Sequence, residues 1–121
     1  MATYTVTRVT TRPNTSTHWP GPALDTNGYA DLVSSEKVTI SYSYDSDDLV
    51  QTSSFVWASK TDFENNLPSA GSPDSTLMSA RNQYNTYMAD NNISARITEE
   101  DGTVRVFNSS SKNYEAEQKL K

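Results

Sequence analysis

The sequence predicts an α+β fold, in which an antiparallel sheet carries one main helix packed on one of its faces. Several segments alternate polar and apolar side chains, as half-buried strands do, and one longer segment repeats its apolar residues at helical spacing. Serine, threonine and asparagine supply 42 of the 121 residues, and these residue types favour strands, caps and turns over long helices.

The first strand is predicted at residues 3–11, where side chains alternate without a break. Every second residue from Tyr4 to Arg8 falls on one face, and threonines occupy most of the other. Residues 12–36 follow, and their prolines and glycines interrupt regular structure. We expect only a short helix in this stretch, at residues 30–33.

A β-hairpin is predicted over residues 37–58. Two alternating segments flank an aspartate-rich turn at residues 45–48, whose carboxylates can accept hydrogen bonds from nearby backbone amides. The register that pairs Val38 with Phe55 sets apolar side chains opposite one another. A slip of one residue would exchange the two faces of the returning strand.

Two helices are expected between this hairpin and the next. A short one begins at a capping box formed by Thr61 and Glu64. The main helix spans residues 73–90, with Ser72 as its N-cap. Its apolar stripe consists of Leu77, Ala80, Tyr84, Tyr87 and Met88.

A second hairpin is predicted at residues 94–107. Asp-Gly is a preferred two-residue turn, and placing it at residues 101–102 pairs Ile97 with Val106. The apolar residues of both strands then share one face. The tail at 108–121 is polar, and its last part favours a short helix.

Composition allows one modest core, because 34% of the residues are hydrophobic and the mean hydropathy is -0.72. We therefore assign residues 1–107 to a single domain and residues 108–121 to a C-terminal tail. The order of strand, crossover, hairpin, helix and hairpin matches the split βαβ pattern of ferredoxin-like folds.

Over residues 3–107 this order of elements resembles that of the dimeric α/β-barrel proteins, which include small antibiotic-biosynthesis-type monooxygenases and stress-response barrel proteins. The resemblance lies in the element order and not in a motif. It implies a homodimer in which two sheets pack face to face around a pocket.

One face of the predicted sheet departs from that barrel pattern. Apolar side chains are few on the face away from the helix, namely Val9, Val50 and Val56. A one-sided antiparallel sheet needs no more than this. We therefore expect a solvated face, or a wet, hydrogen-bonded contact with a partner. The polar residues of this face are Thr3, Thr5, Thr7, Thr39, Ser41, Ser43, Thr52 and Ser54.

Several function classes find no support in the sequence. The chain has no cysteine, a net charge of -5, and scattered lysines and arginines, so we expect no thiolate chemistry, no nucleic-acid partner and no membrane partner. No glycine-rich nucleotide motif occurs, and we expect no cofactor. The Asp45, Asp47 and Asp48 cluster lacks the glycine and distal glutamate of a calcium loop, so a turn is favoured over a metal site.

Four residues are candidates for a pocket or an interface: His18, Trp19, Trp57 and Tyr84. His18 is the only histidine and could act as a general acid or base, but a loop imidazole stacked on a neighbouring ring is the favoured interpretation. We expect no catalytic residue and no metal ligand. Arg8 and Arg12 flank the end of the first strand and could hold an anion, but two arginines near a proline turn are more often surface residues, so we expect both at the surface.

Two functions remain open. The first is a non-enzymatic structural or interaction protein that binds protein partners or self-assembles through its sheet edge and terminal arms at 12–23 and 108–121. Its composition resembles that of small bacteriophage virion proteins, such as head or tail accessory subunits. The alternative is a small dimeric α/β-barrel enzyme or ligand-binding protein of the monooxygenase-like type. Residues 1–20 carry no signal-peptide pattern, so we expect the protein in the cytoplasm or in a virion.

Overall fold

A computed structural model describes residues 2–19, 28–67 and 75–116, and it shows an α+β fold with a six-stranded antiparallel sheet and few helices. The sheet order is β2-β3-β1-β4-β5-β6. The elements are β1 (Tyr4–Thr11), α1 (Ala30–Ser34), β2 (Val38–Tyr44), β3 (Val50–Trp57), α2 (Lys60–Asn65), α3 (Ser75–Asp90), β4 (Ser94–Glu99), β5 (Val104–Asn108) and β6 (Asn113–Ala116).

Strand β1 lies in the middle of the sheet, between β3 and β4. Its alternation separates two faces as predicted, because Tyr4 and Val6 are buried whereas Thr3 and Val9 are exposed. Tyr4 pairs with Trp57 and Val6 pairs with Phe55, so aromatic and apolar side chains meet across the strands.

The first hairpin forms at the predicted place, but its predicted register is wrong by two residues. Val38 pairs with Trp57 and not with Phe55. The Asp45 carboxylate accepts hydrogen bonds from the amides of Leu49 and Val50, at 2.8 and 2.9 Å, so the turn closes at Asp45. A shift of two residues keeps every side chain on its predicted face, because the side-chain period of a strand is two.

The second hairpin differs from its prediction by one residue, and its faces change accordingly. Ile97 pairs with Arg105 and not with Val106. Glu99 donates its amide to the carbonyl of Thr103 at 2.8 Å, so the loop holds three residues and ends at Gly102, which has a φ of +94°. Val106 therefore lies on the outer face of the sheet, opposite to the inner face that carries Tyr4 and Val6, and it is exposed there.

The carboxylates of Asp45 and Asp101 make stability depend on acid pH. Backbone amides lower both pKa values below the ordinary 3.8, chiefly the amide of Val50 for Asp45 and that of Thr103 for Asp101. The folded pKa lies below the unfolded one, so this contribution is complete above 3.8 and disappears as pH falls through the folded values. We expect the free energy of unfolding to decline below about pH 4 in urea titrations, and to decline less in Asp45→Asn. Asp90→Asn, at an exposed position, is the control. If Asp90→Asn reduced the acid-dependent decline as much as Asp45→Asn does, the assignment of this decline to Asp45 would be contradicted.

Local sequence signals account for the start of α2 and for the end of α3. α1 confirms the short helix expected at residues 30–33. Helix α2 is capped by Ser59 and not by Thr61: the Ser59 hydroxyl accepts a hydrogen bond from the Asp62 amide and donates one to its carboxylate, both at 3.1 Å. The predicted start of α3 lies outside the described residues. Its end is confirmed by Asn92, which adopts a φ of 56°.

The region assigned to a tail contributes a strand. β6 pairs with β5, and the rings of Phe107 and Tyr114 meet edge to face with centroids 5.5 Å apart. This stacking holds Tyr114 on the sheet, so residues 113–116 form a strand where the sequence favoured a helix. The remaining residues 117–121 lie outside the described part.

The core consists of two hydrophobic clusters, and α3 contributes to both. Its residue Leu77 belongs to the first cluster, whereas Tyr84 and Met88 belong to the second. The first cluster comprises Tyr4, Val6, Tyr29, Leu32, Val38, Phe55, Trp57, Phe63 and Leu77. The second comprises Tyr84, Met88, Ile93, Ala95 and Phe107.

Gly28 lies so close to α3 that no side chain fits there. A Cβ atom on Gly28 would stand 2.6 Å from the Cβ of Ala80. We expect Gly28→Ala to lower the free energy of unfolding by about 1–2 kcal/mol, because overpacking forces neighbouring backbone apart. Chemical denaturation measures the loss. Adding Ala80→Gly removes the clashing methyl group, so the double variant should lose less stability than the sum of the losses of the two single variants. A loss in the double variant equal to that sum or larger would contradict this contact.

The outer face of the sheet is open and polar, as predicted. Ser41 pairs with Ser54, and Thr7 pairs with both Ser54 and Thr98. None of these side chains is buried, and Ser41 and Thr98 are exposed. Within the described residues, no helix combines the length and the apolar content needed to cross a membrane.

Candidate functional site

A cavity of about 700 Å³ is lined by residues of the sheet's inner face and of α3. An apolar and largely aromatic part of the lining, called the aromatic wall, consists of members of the first cluster. A polar part, called the polar wall, combines side chains of α3 with those of the β5–β6 hairpin. The aromatic wall contains Tyr29, Phe55, Trp57, Phe63 and Leu77, and the polar wall contains Arg81, Asn82, Asn85, Arg105 and Asn113.

Arg8 forms part of the cavity surface between the two clusters. Arg8 is 7% exposed and Arg12 is 6% exposed, in contradiction to the surface positions expected for both arginines. The guanidinium carbon of Arg8 lies 5.0 Å from the ring centre of Phe55 and 4.4 Å from that of Tyr84. One of its terminal nitrogens donates to the Ser53 hydroxyl at 3.3 Å. Cation–π contact with both rings stabilises the buried charge and joins a residue of each cluster.

A second arginine of the cavity, Arg105, is paired with a buried carboxylate. Arg105 donates to Glu99, and the Tyr4 hydroxyl donates to the other oxygen of Glu99 at 3.0 Å. Burial raises the pKa of Tyr4, and the hydrogen bond and negative charge of Glu99 raise it further. The phenol therefore stays protonated as a donor, and the charge of Arg105 is compensated by Glu99.

The third arginine, Arg81, projects from the middle of α3. It donates to the backbone carbonyl of Asn66, just after α2, and one terminal nitrogen lies 3.8 Å from the sulfur of Met78. Arg81 lies four residues after Leu77 and three before Tyr84, so the three share one helix face. Arg81 therefore lines the cavity at the boundary between the clusters.

The loop after β1 is held by a separate cluster of side chains. The guanidinium of Arg12 lies 4.6 Å from the ring centre of Trp19 and forms a 2.8 Å salt bridge with Asp48. Trp19 also contacts Tyr44, with ring centres 5.9 Å apart. Contacts of Arg12 and Trp19 thus hold the two ends of the 12–19 loop against the domain.

The four predicted site residues do not form one site. Trp57 and Tyr84 both line the cavity. His18 has an exposed side chain, and its backbone carbonyl accepts a hydrogen bond from Tyr87 at 2.7 Å. Trp19 packs beside Arg12, away from the cavity lining. Sequence reasoning placed Arg8 at the surface, although Arg8 is in phase with the buried residues of its strand, and it did not identify Arg81 or Arg105.

Among the described residues, no group of three histidine, aspartate or glutamate side chains is placed to hold a metal ion. The cavity instead offers hydrogen-bond donors and aromatic surface. Comparison of the chain with protein-family models, with curated proteins and with solved structures gives no match in any of the three.

Proposed function

We propose that this chain is a small-molecule-binding protein, and the cavity is the observation that carries the proposal. Ligand sites in proteins measure about 300–1,000 Å³ and combine a mostly apolar lining with a few oriented polar groups. The volume of about 700 Å³ falls in this range. The aromatic wall suits a flat apolar body, and the arginine and asparagine side chains of the same lining suit a polar end.

The arrangement of strands supports a ferredoxin-like assignment as part of this proposal. β3 lies between β1 and β2, and β1 lies between β3 and β4, so each crossover spans an intervening antiparallel strand. This is the splitting of βαβ units in that fold. The buried residues of α3 share clusters with strand residues, which favours a helix packed on the inner face.

The polar outer face favours a site built within one chain over a barrel closed by two sheets. Face-to-face sheet packing buries interdigitating side chains, which are usually apolar. The centre of this outer face carries Thr7, Ser41 and Ser54. We therefore propose that the cavity binds its ligand without a second copy.

Calorimetric titration with the neutral probe 2-naphthol tests the proposal. We expect saturable binding at one site per chain. Asn85→Phe places a larger side chain in the polar wall and should weaken binding at least about tenfold. Gln83→Phe makes the same change at an exposed position of α3 outside the cavity lining and should leave binding unchanged. Absence of saturable binding, or equal weakening by both variants, would refute the cavity as the site.

A second candidate function is self-assembly as a structural subunit, comparable to a bacteriophage head or tail accessory protein. Its supporting observation is strand β2, which pairs with β3 on one side and ends the sheet on the other. Such an edge can pair with another chain. Sedimentation over a wide concentration range should then show growth that Ser41→Lys suppresses, because lysines on an edge strand oppose pairing. A monomer at all concentrations would exclude self-assembly.

A further inference from the structure

We infer that the ligand of this cavity carries a carboxylate or a similar anionic group, and that Arg81 binds it. This inference rests on the proposed function, because it specifies the chemistry of a ligand in the same cavity. It follows from the charges that line the cavity and from the partners that each charged group has.

Arg81 and Arg105 both line the cavity, but their side chains have different partners. Arg105 is compensated by Glu99, so a ligand anion would have to compete with a buried carboxylate for it. Arg81 contacts the Asn66 carbonyl and the Met78 sulfur, and both of these groups are uncharged. A guanidinium has five N–H donors in a planar fork that matches the two oxygens of a carboxylate.

The carboxylate that lines the cavity is occupied by other donors. Glu115 accepts a hydrogen bond from the Asn108 side-chain amide at 3.0 Å and one from the Ser111 hydroxyl at 3.3 Å, using a different oxygen for each. These contacts close the β5–β6 turn. The described lining thus contains three arginines and this single carboxylate, and Glu99, which pairs with Arg105, brings the formal sum of these charges to +1 in a chain whose net charge is -5. A concave surface of locally positive charge concentrates anions.

The position of Arg81 on α3 also fits an amphipathic anion. Arg81 shares its helix face with Leu77, which belongs to the first cluster. An acidic group held by Arg81 would leave the rest of the ligand against the aromatic wall that includes Phe55 and Trp57. Arg8, in the same lining, adds a further positive charge to the site.

A matched pair of probes separates the anion from the apolar body. 2-Naphthoate and 2-naphthamide have nearly the same shape, and only the first is charged at neutral pH. We expect the wild-type protein to bind the carboxylate at least about tenfold more tightly than the amide in calorimetric titrations at low salt. The preference should shrink as salt is added, because part of it is electrostatic.

Two variants assign the effect to a residue. Arg81→Gln should abolish the preference for 2-naphthoate and leave the affinity for 2-naphthamide nearly unchanged, which also shows that the cavity remains intact. Arg96→Gln removes the same charge from the exposed outer face and should keep the preference. A preference that survives in Arg81→Gln would overturn the assignment to Arg81.

The outcomes also separate this inference from the proposed function. Equal affinity for the two probes would overturn the anionic ligand and leave the cavity as a binding site. Binding of neither probe would overturn the proposed function, and the inference with it.

Discussion

Replacement of Trp57 by alanine is expected to lower the free energy of unfolding by about 3–5 kcal/mol, because it removes the largest buried side chain of the first cluster. Trp57 is 2% exposed and pairs with Tyr4 on one side and Val38 on the other. Its ring also lies 6.1 Å from that of Tyr29 and 5.8 Å from that of Phe63. Neighbours on several sides cannot all collapse into the vacated space.

Denaturant unfolding followed by circular dichroism measures this loss without relying on tryptophan fluorescence. Val33→Ala is the control, since Val33 is 47% exposed, and a change within about 0.5 kcal/mol is expected for it. A loss below about 1 kcal/mol for Trp57→Ala would show that the first cluster repacks freely around the vacated space, contrary to this expectation.

Glu99→Gln is expected to lower the free energy of unfolding by about 2–3 kcal/mol. Removing one partner of a buried ion pair typically costs about 3–5 kcal/mol, because the other charge stays behind. Arg105 is 33% exposed, so water compensates part of its charge and the expected loss is smaller. The Tyr4 hydroxyl can still donate to the amide oxygen of glutamine, which confines the change mainly to Arg105.

Urea unfolding at neutral pH measures the effect of Glu99→Gln. Glu64→Gln, on the exposed surface of α2, removes the same charge and should change stability by less than about 0.5 kcal/mol. Equal effects of the two variants would mean that the Glu99–Arg105 pair contributes no more than a surface charge.

Alternation in the sequence was sufficient to predict which residues of β1 and β3 face inward. Tyr4, Val6 and Phe55 are buried where the period of two places them. The registers were not predictable to the same degree, because turns set them. In the second hairpin, the three-residue loop ending at Gly102 moves Arg105 to the inner face and Val106 to the outer one.

The cavity could be predicted only in part. Trp57 and Tyr84 were named as candidate pocket or interface residues, and both line it. Arg8 was considered as a group that could hold an anion but was expected at the surface, and Arg81 and Arg105 were not identified, because charged side chains are rarely buried unless they are paired. What permits burial of Arg8 is the pair of rings from Phe55 and Tyr84, which come from distant parts of the chain. Contacts between residues that lie far apart in the sequence leave no local sequence pattern from which they could be predicted.

The central position of β1 has a consequence for synthesis on the ribosome. Its two neighbours in the sheet are made much later, and the hydrogen bond between Tyr4 and Glu99 joins residues 95 positions apart. One edge of β1 therefore stays unpaired until β3 (Val50–Trp57) has been made, and its other edge stays unpaired until β4 (Ser94–Glu99) has been made. The alternating threonines of β1 keep one face of the unpaired strand hydrated, which reduces its association with other nascent chains.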